Sequence, residues 1–358
     1  MLRKTTAQAI LTSTVIAFFI NCTDNTSQQK NNEATTLPTV EEWVYITNED
    51  SEDLSVISTA TNEVVASMPV GKRPRGIHVA PNGKTLYVAL SGSPKCPPWM
   101  PEAECDKQKS DKTKDGIAEV DIIAKKILRM MPVGSDPEQF DMTGDGKRFV
   151  VANEDVGKAT LVDVETSKII TETAVGEEPE GVKFSPDNTL CYVASENEHS
   201  IAVLKTATGE LLGKIKVGIR PRGIVFSRDG KRAFVSGESD ASISVIDVAA
   251  NQVVATFRLP AGSMPVGLVL SPDDKRLYVA NGRGKTVSEI DISNGQTLHT
   301  IEVGKRPWGI GITSDGKFLY TANGPSNDVS VVDIKTFSVV KTIPVGKGAW
   351  GVAIYAKP

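Results

Sequence analysis

Charged and aromatic side chains recur at one place in a phrase that this 358-residue chain repeats. Each copy of the phrase opens on a glycine, usually contains a proline, and leads into an apolar run. The residues that flank the proline are Arg73/Arg75, Asp136/Glu138, Glu178/Glu180, Arg220/Arg222, Met264/Val266 and Arg306/Trp308, and the last copy, which lacks the proline, has Ala349/Trp350. Carboxylates can exchange protons with a substrate, and an arginine fork can donate two hydrogen bonds to an anion. If the copies converge, these side chains form one site.

The spacing of the phrase predicts how its copies are arranged. The opening glycines are Gly71, Gly134, Gly176, Gly218, Gly262, Gly304 and Gly346, separated by 63, 42, 42, 44, 42 and 42 residues. A period in this range, filled with short apolar runs, is typical of a β-propeller blade. Residues 266–302 contain a full unit of four runs, bounded by Gly, Pro, Asn and Asp. We therefore predict an all-β, seven-bladed propeller with four antiparallel strands per blade.

The two ends of the repeat array indicate how the ring closes. The array starts on a second strand, residues 43–47, and ends on a first strand, residues 351–355. Pairing these two strands completes one blade from both chain termini and leaves no unpaired edge at the junction. In this arrangement the loops before the first strands all reach the mouth of the central channel.

Several residues that could do chemistry have a structural explanation instead. Asp residues recur at strand ends, where an Asp side chain commonly caps a turn; they are Asp121, Asp163, Asp247, Asp291 and Asp333. The three histidines, His78, His199 and His299, fall in different repeats, and the chain has no C-x-x-C-H haem motif. We expect no metal and no cofactor. Cys191 lies in a strand and is expected to be a buried apolar residue.

The repeats resemble the YVTN-type β-propeller family. The resemblance rests on Tyr45-Ile-Thr-Asn48, Tyr278-Val-Ala-Asn281 and Tyr320-Thr-Ala-Asn323, and it covers residues 43–358. The order of the loop phrases is also similar to propellers encoded alongside PQQ-dependent catabolism. Surface-layer propellers, the propeller subunit of quinoprotein amine dehydrogenases and the haem d1 domain of nitrite reductase carry similar repeats. Because function varies across this group, the resemblance implies architecture and location more than activity.

The N-terminal segment predicts export. Arg3 and Lys4 precede a short apolar segment that ends at Cys22, so residues 1–22 are interpreted as a signal peptide with a lipoprotein cysteine. Phe19-Ile20-Asn21 departs from the usual lipoprotein pattern, and the alternative is ordinary cleavage nearby with an unanchored product. Residues 23–42 are a polar, disordered tether, and residues 43–358 form the propeller. We expect a periplasmic or cell-surface monomer whose only membrane contact is the lipid anchor.

One repeat carries an insertion, residues 91–116, which contains Cys96 and Cys105. An exported chain permits disulfides, and a polar loop of this length gains order from a covalent link. We expect a Cys96–Cys105 disulfide. A metal site is a poor alternative because the insertion contains no histidine and no C-x-x-C spacing.

We predict a binding site at the channel mouth, with Trp308 and Trp350 as an apolar wall. Arg75, Arg222 and Arg306 are assigned as anion donors, with Glu138 and Glu180 positioning them or accepting from a ligand. The alternative is that these charged side chains only form salt bridges with one another across blades. Such salt bridges contribute little to stability when they are exposed at a surface. A formal net charge of −4 and the acidic loops argue against nucleic acid.

Three functions follow from this site. The main expectation is a non-catalytic propeller that binds a small ligand or a periplasmic or membrane protein. The alternatives are a lactonase-like hydrolase or lyase that uses the Glu and Arg residues of the same mouth, and an accessory subunit of a periplasmic quinoprotein or haem redox system.

Overall fold

The computed structural model of the protein describes residues 41–95, 104 and 109–357. Its 28 strands form seven four-stranded antiparallel sheets, the blades of a propeller, which confirms the predicted fold. The predicted leader with Cys22, most of the predicted tether, Cys96 and Cys105 lie outside the described residues. Within the described ranges, no helical segment reaches the length and apolarity of a membrane span.

Each blade runs outward from an innermost strand. The innermost strands are β4 (Ile77–Val79), β8 (Pro137–Met142), β12 (Pro179–Phe184), β16 (Pro221–Phe226), β20 (Pro265–Leu270), β24 (Pro307–Ile312) and β28 (Ala349–Ala356). The second strands are β1 (Glu42–Asn48), β5 (Thr85–Leu90), β9 (Arg148–Asn153), β13 (Leu190–Ser195), β17 (Arg232–Gly237), β21 (Arg276–Asn281) and β25 (Phe318–Asn323).

Two more strands complete each blade. The third strands are β2 (Asp53–Ser58), β6 (Gly116–Asp121), β10 (Lys158–Asp163), β14 (Ser200–Lys205), β18 (Ser242–Asp247), β22 (Thr286–Asp291) and β26 (Asp328–Asp333). The outer strands are β3 (Glu63–Pro69), β7 (Lys126–Met131), β11 (Lys168–Ala174), β15 (Leu211–Lys216), β19 (Gln252–Arg258), β23 (Thr297–Glu302) and β27 (Ser338–Pro344). Short 3-10 turns lie at Lys112–Lys114, Glu154–Val156 and Gly324–Ser326.

The ring closes through both ends of the repeat array, as predicted. Strand β28 pairs antiparallel with β1, with Trp43 opposite Tyr355 and Ile46 opposite Val352. The resulting sheet has the order β28-β1-β2-β3. The blade therefore depends on hydrogen bonds between segments about 300 residues apart in the chain, and no innermost strand is left unpaired.

A buried asparagine at the end of several second strands joins them to the third strand of the same blade. Asn323 Nδ2 donates to Asp328 Oδ1 at 2.7 Å and to Ser330 Oγ at 2.9 Å. Asn48 and Asn281 make the equivalent pair of bonds in their own blades. Because a buried amide must find partners, this residue sets the end of the strand and hence the start of the loop at the channel mouth.

Aspartates form turns at the strand ends, as the repeat pattern predicts. The carboxylates of Asp121, Asp163, Asp247, Asp291 and Asp333 each accept a hydrogen bond from a backbone N–H two or three residues further along the chain. Cys191 is fully buried within a blade core, also as predicted, and burial raises the pKa of its thiol.

Glycines let the innermost strands approach one another closely. Gly181, Gly223, Gly267, Gly309 and Gly351 occupy equivalent positions, and a Cβ on each would meet a backbone carbonyl oxygen of the neighbouring blade. Those carbonyls belong to Arg222, Val266, Trp308, Trp350 and Arg75. Any side chain at these glycines would separate neighbouring blades. The glycines therefore allow Arg75, Arg222, Val266, Trp308 and Trp350 to lie close together around one opening.

Candidate functional site at the channel mouth

The opening of the channel is a broad cavity of about 1520 Å³, called the mouth below. Loops before the innermost strands and loops after the second strands both contribute to its lining. All seven residues assigned to the site from sequence line it: Arg75, Glu138, Glu180, Arg222, Arg306, Trp308 and Trp350. The structure therefore brings them to one cavity, while their part in binding stays a prediction.

Each loop enters the mouth through a left-handed residue. Six residues that directly precede the phrase's proline have φ between 42° and 57°: Arg73, Asp136, Glu178, Arg220, Met264 and Arg306. This region is uncommon for residues other than glycine, and a following proline favours extended backbone instead. Such strain persists only where the surrounding structure over-determines it, so we infer that the loops at the mouth are rigid.

Arg75 is buried at the mouth against three carboxylates. Its Nη2 donates to Asp136 Oδ1 at 2.7 Å, and its Nη1 lies 3.3 Å from Glu154 Oε2 and also pairs with Glu138. Burial opposes the charge on Arg75, but Asp136 and Glu154 raise the pKa of the guanidinium. In turn, Arg75 lowers the pKa of Asp136 in spite of burial. The guanidinium is thus occupied by protein carboxylates.

Arg222 occupies an equivalent position three blades further on. Its Nε donates to Glu238 Oε2 at 2.7 Å, its Nη2 lies 2.8 Å from Glu196 Oε2, and its Nη1 pairs with Glu180. Burial opposes the charge, but Glu180 and Glu238 raise the pKa of Arg222. Removing one partner of such a buried group costs roughly 3–5 kcal/mol. Three protein carboxylates therefore hold Arg222, and its assignment as an anion donor stays a prediction.

Sequence reasoning missed the acidic residues that complete these clusters. Glu49, Glu154, Glu196 and Glu238 each directly follow the last residue of a second strand. A signal for them existed, because a glutamate stands at this position in four of the seven repeats. The recurrence alone does not show what the glutamate contacts, because the arginine that it faces comes from another part of the chain.

Glu154 differs from the other carboxylates at the mouth. Its side chain is 30% exposed, and among the described residues its ionic contact is the 3.3 Å approach to Arg75. Burial, together with the neighbouring carboxylates of Glu180 and Asp136, raises the pKa of Glu154 to about 7, although Arg75 acts in the opposite direction. A carboxyl group that titrates near neutral pH can both accept and donate protons under working conditions.

The two tryptophans lie side by side at the mouth. Their ring centroids are 6.0 Å apart at an interplanar angle of 23°, a stacked arrangement. Trp308 is the second residue of β24 and Trp350 the second residue of β28, so both belong to strands rather than to loops. Trp350 is only 7% exposed. They form a flat apolar wall that is partly embedded in the propeller.

Arg306 retains free hydrogen-bond donors. Its guanidinium lies 4.5 Å from the centroid of the Trp308 ring, and no carboxylate among the described residues pairs with it. Burial and the nearby cations Arg283 and Arg222 lower the pKa of Arg306. A half-buried cation that other cations surround gains from an approaching negative charge. Of the three arginines assigned as anion donors, Arg306 is the one that this geometry supports.

The described ends of the insertion border the mouth. Lys95 Nζ lies 2.9 Å from Glu49 Oε2 and 2.7 Å from Asp50 Oδ1, and Arg73 Nη1 donates to the Ser93 carbonyl at 2.8 Å. On the other side, Lys112 pairs with Asp155. The predicted Cys96–Cys105 disulfide falls outside the described residues. Within the described residues, no group of three or more His, Cys, Asp or Glu side chains is arranged to hold a metal ion.

Comparison with known proteins points to a class of activity. Residues 212–344 match the family model described as a lactonase with a 7-bladed β-propeller. No curated protein matches the chain. That family match contradicts the expectation of a non-catalytic binding propeller and favours the alternative of a lactonase-like hydrolase.

Solved structures agree on the fold. A periplasmic gluconolactonase of Pseudomonas aeruginosa is similar, with a TM-score of 0.72 and 20% identity, over 89% of this chain and 100% of that one. A functionally unknown protein of Desulfotomaculum acetoxidans has a TM-score of 0.72 and 17% identity, over 88% and 99%. Hydrazine synthase of Kuenenia stuttgartiensis has a TM-score of 0.64 and 20% identity, over 79% and 95%. At these identities the likeness shows a propeller fold and no particular activity.

Proposed function

We propose that this protein is a lactonase-like hydrolase whose active site is the mouth. The observation that carries the proposal is the match of residues 212–344 to the lactonase propeller model. Two features of the mouth support it: Glu154, a carboxyl group that titrates near pH 7, and Arg306, a guanidinium without a carboxylate partner among the described residues. Both line the same cavity.

The reaction opens a cyclic ester with water. Ionised Glu154 takes a proton from the attacking water as its oxygen bonds to the ester carbonyl carbon. Negative charge develops on the carbonyl oxygen, where Arg306 donates hydrogen bonds to it. The bond between that carbon and the ring oxygen then breaks, and the proton held by Glu154 passes to the departing ring oxygen. The product is a hydroxy acid, and Glu154 is ionised again.

The other mouth residues have supporting roles in this proposal. Arg75 positions Glu154 and prevents its pKa from rising further. Arg222 and its three glutamates build the rim next to Trp308, and Trp308 and Trp350 present a flat surface to the substrate ring. Positioning of this kind is a large part of catalysis because it removes the need to reorganise polar groups during reaction.

A direct test is lactone hydrolysis by the purified propeller, followed as acid release in a pH-stat. Suitable probes are D-glucono-1,5-lactone and γ-butyrolactone, with spontaneous hydrolysis subtracted. We expect enzymatic turnover of at least one probe at roughly 1–10³ s⁻¹, the usual range for enzymes. Rates equal to the spontaneous reaction across both probes and γ-octalactone would contradict the hydrolase.

We further propose that the repeats are of the YVTN type and that the chain is exported. The Tyr-x-x-Asn segments and the leader with Cys22 support this. The protein is then a periplasmic or cell-surface monomer that is anchored by lipid alone, acts on a small molecule and does not bind nucleic acid.

Thiol titration tests this export proposal. In protein purified from the cell envelope after synthesis with its own leader, then unfolded without reductant, we expect one reactive thiol, that of Cys191. Cys96 and Cys105 are consumed by their disulfide, and Cys22 by its lipid. Reduction should add two thiols. Detection of three or more thiols before reduction would contradict the disulfide, and a free Cys22 would contradict lipidation.

A further inference from the structure

Below the mouth, the innermost strands enclose a bore of about 240 Å³. The bore and the mouth share lining residues, among them Glu180, Arg222, Trp308 and Trp350. The same side chains thus border both spaces, and we infer that a molecule held at the mouth can pass between them into the bore.

Apolar side chains line the bore on all seven innermost strands, with Ile77, Phe140, Val182 and Ile224 on one side. Leu268, Ile310 and Val352, from the neighbouring strands β20, β24 and β28, line it directly below Val266, Trp308 and Trp350. Leu268, Ile310 and Val352 are only partly buried, although their strands are the innermost of the ring. Because they line the bore, we infer that the apolar surface they leave uncovered faces it. An apolar strip thus runs from the tryptophans at the mouth into the channel.

The side of the bore formed by β4, β8 and β12 also carries polar side chains. His78, Asp141 and Lys183 line it on β4, β8 and β12. Asp141 Oδ1 lies 3.1 Å from Lys183 Nζ and 3.4 Å from His78 Nε2, and Asp141 Oδ2 accepts from the Phe184 N–H at 2.8 Å. These groups satisfy one another and do not need a ligand. They lie three positions after the mouth residues of their own strands, about 10 Å along the strand at roughly 3.3 Å per residue. On this side of the bore, polar groups therefore follow the apolar layer.

From this apolar bore we infer the substrate class, an inference that rests on the proposed hydrolase. The substrate is a lactone that bears an alkyl substituent. Its ring lies at the mouth between Glu154 and Arg306, and its alkyl chain lies along Trp308 and Trp350 and enters the bore against Leu268, Ile310 and Val352. The chain leaves water there, which is favourable in proportion to the apolar area covered. A polyhydroxylated lactone gains nothing from this strip.

The test is a series of racemic γ-lactones of rising chain length, from γ-butyrolactone through γ-hexalactone and γ-octalactone to γ-dodecalactone. We expect kcat/KM to rise by up to about fourfold for each methylene that is buried, and to stop rising once the polar end of the bore is reached. D-Glucono-1,5-lactone should be a poorer substrate than γ-octalactone. A flat or falling series in the presence of measurable hydrolysis would overturn the alkyl inference and leave the hydrolase proposal intact.

A substitution that narrows the bore is the second test of this inference. Leu268→Phe places a larger side chain in the apolar wall, and the ratio of kcat/KM for γ-octalactone to that for γ-butyrolactone should fall about tenfold. Val254→Phe is the matched control, since Val254 is 54% exposed on the outer strand β19, and its ratio should equal that of the wild type. A ratio that stays unchanged in folded Leu268→Phe would count against the bore.

Binding without turnover separates the two proposals. Cyclopentanone and 2-pentylcyclopentanone resemble the short and long lactones and cannot be hydrolysed, and the stacked tryptophans report their binding by fluorescence. We expect 2-pentylcyclopentanone to bind at least tenfold more tightly. If it does so while no lactone is hydrolysed, the alkyl site stands and the hydrolase fails. Equal affinity for the two ketones would overturn the alkyl site.

Discussion

Replacing Glu154 with Gln should lower kcat for lactone hydrolysis by about 10²- to 10⁴-fold, the usual contribution of a general base. The amide keeps the size of the side chain and can still contact Arg75, but it cannot accept the proton from water. Because the pKa of Glu154 is raised to about 7, kcat/KM of the wild type should fall as the pH drops below about 7. The residual activity of Glu154→Gln should lack this inflection.

The control is another carboxylate at the same mouth. Glu177 lines the cavity and is exposed, so Glu177→Gln changes the net charge of the mouth equally and should retain both activity and pH profile. If Glu154→Gln hydrolyses lactones like the wild type, Glu154 is not the base. If both variants lose activity equally, the mouth acts through its overall charge instead.

Stability should change in the opposite sense to activity. The folded state holds the Glu154 proton up to about pH 7, whereas the unfolded chain releases it near the ordinary value of 4.5. Between these values the folded state binds more protons, so this group makes the free energy of unfolding fall as the pH rises. Urea titrations at pH 5 and pH 8 measure this effect. Between these pH values the free energy of unfolding should fall more, or rise less, in the wild type than in Glu154→Gln.

Deleting residues 349–358 should abolish cooperative folding of the propeller. The deletion removes β28, the only partner of β1 on its inner side, together with Trp350 and the packing of Val352 and Ile354 against the neighbouring blade. Each large apolar side chain that loses its burial costs roughly 1.5–3 kcal/mol. Several such losses approach the total stability of an ordinary protein, about 5–15 kcal/mol.

A shorter truncation isolates the effect of the strand. Removing residues 357 and 358 leaves β28 whole and removes the surface contacts of Lys357, its ion pair and backbone hydrogen bond with Glu41 and its approach to the Trp43 ring, so the melting temperature should be nearly unchanged. Circular dichroism and thermal denaturation compare the two truncations. A 349–358 deletion that melts like the full chain would show that the ring does not depend on closure through β28.

The repeat explains why much of the fold was predictable. The 42-residue period, the turn aspartates and the strand-length apolar runs are local features, and each repeats enough times to be recognised without knowing its neighbours. Closure followed from counting, because an array that starts on a second strand and ends on a first strand has one way to complete a blade. Even the burial of Cys191 could be inferred from the strand around it.

The mouth was only partly predictable, since its residue types are local but their pairing is not. The phrases identified Arg75 and Arg222 as cations at a common opening, and both line the mouth. Which carboxylates face them depended on loops after the second strands, where Glu154 lies 79 residues from Arg75 in the chain. Charge interactions depend steeply on distance and burial. Whether an arginine at the mouth is already paired with a protein carboxylate therefore depends on which side chains the other blades place beside it.

The amino-acid sequence by itself thus determined the seven-bladed ring, its closure and the set of side chains delivered to the channel mouth. Only the tertiary structure decided which of those side chains remain available. It buried Arg75 and Arg222 among carboxylates, left Arg306 without a carboxylate partner among the described residues, and raised the pKa of Glu154. The physical reason is that ionisation depends on what lies within a few ångströms, and here those neighbours come from different blades that meet only when the ring is closed.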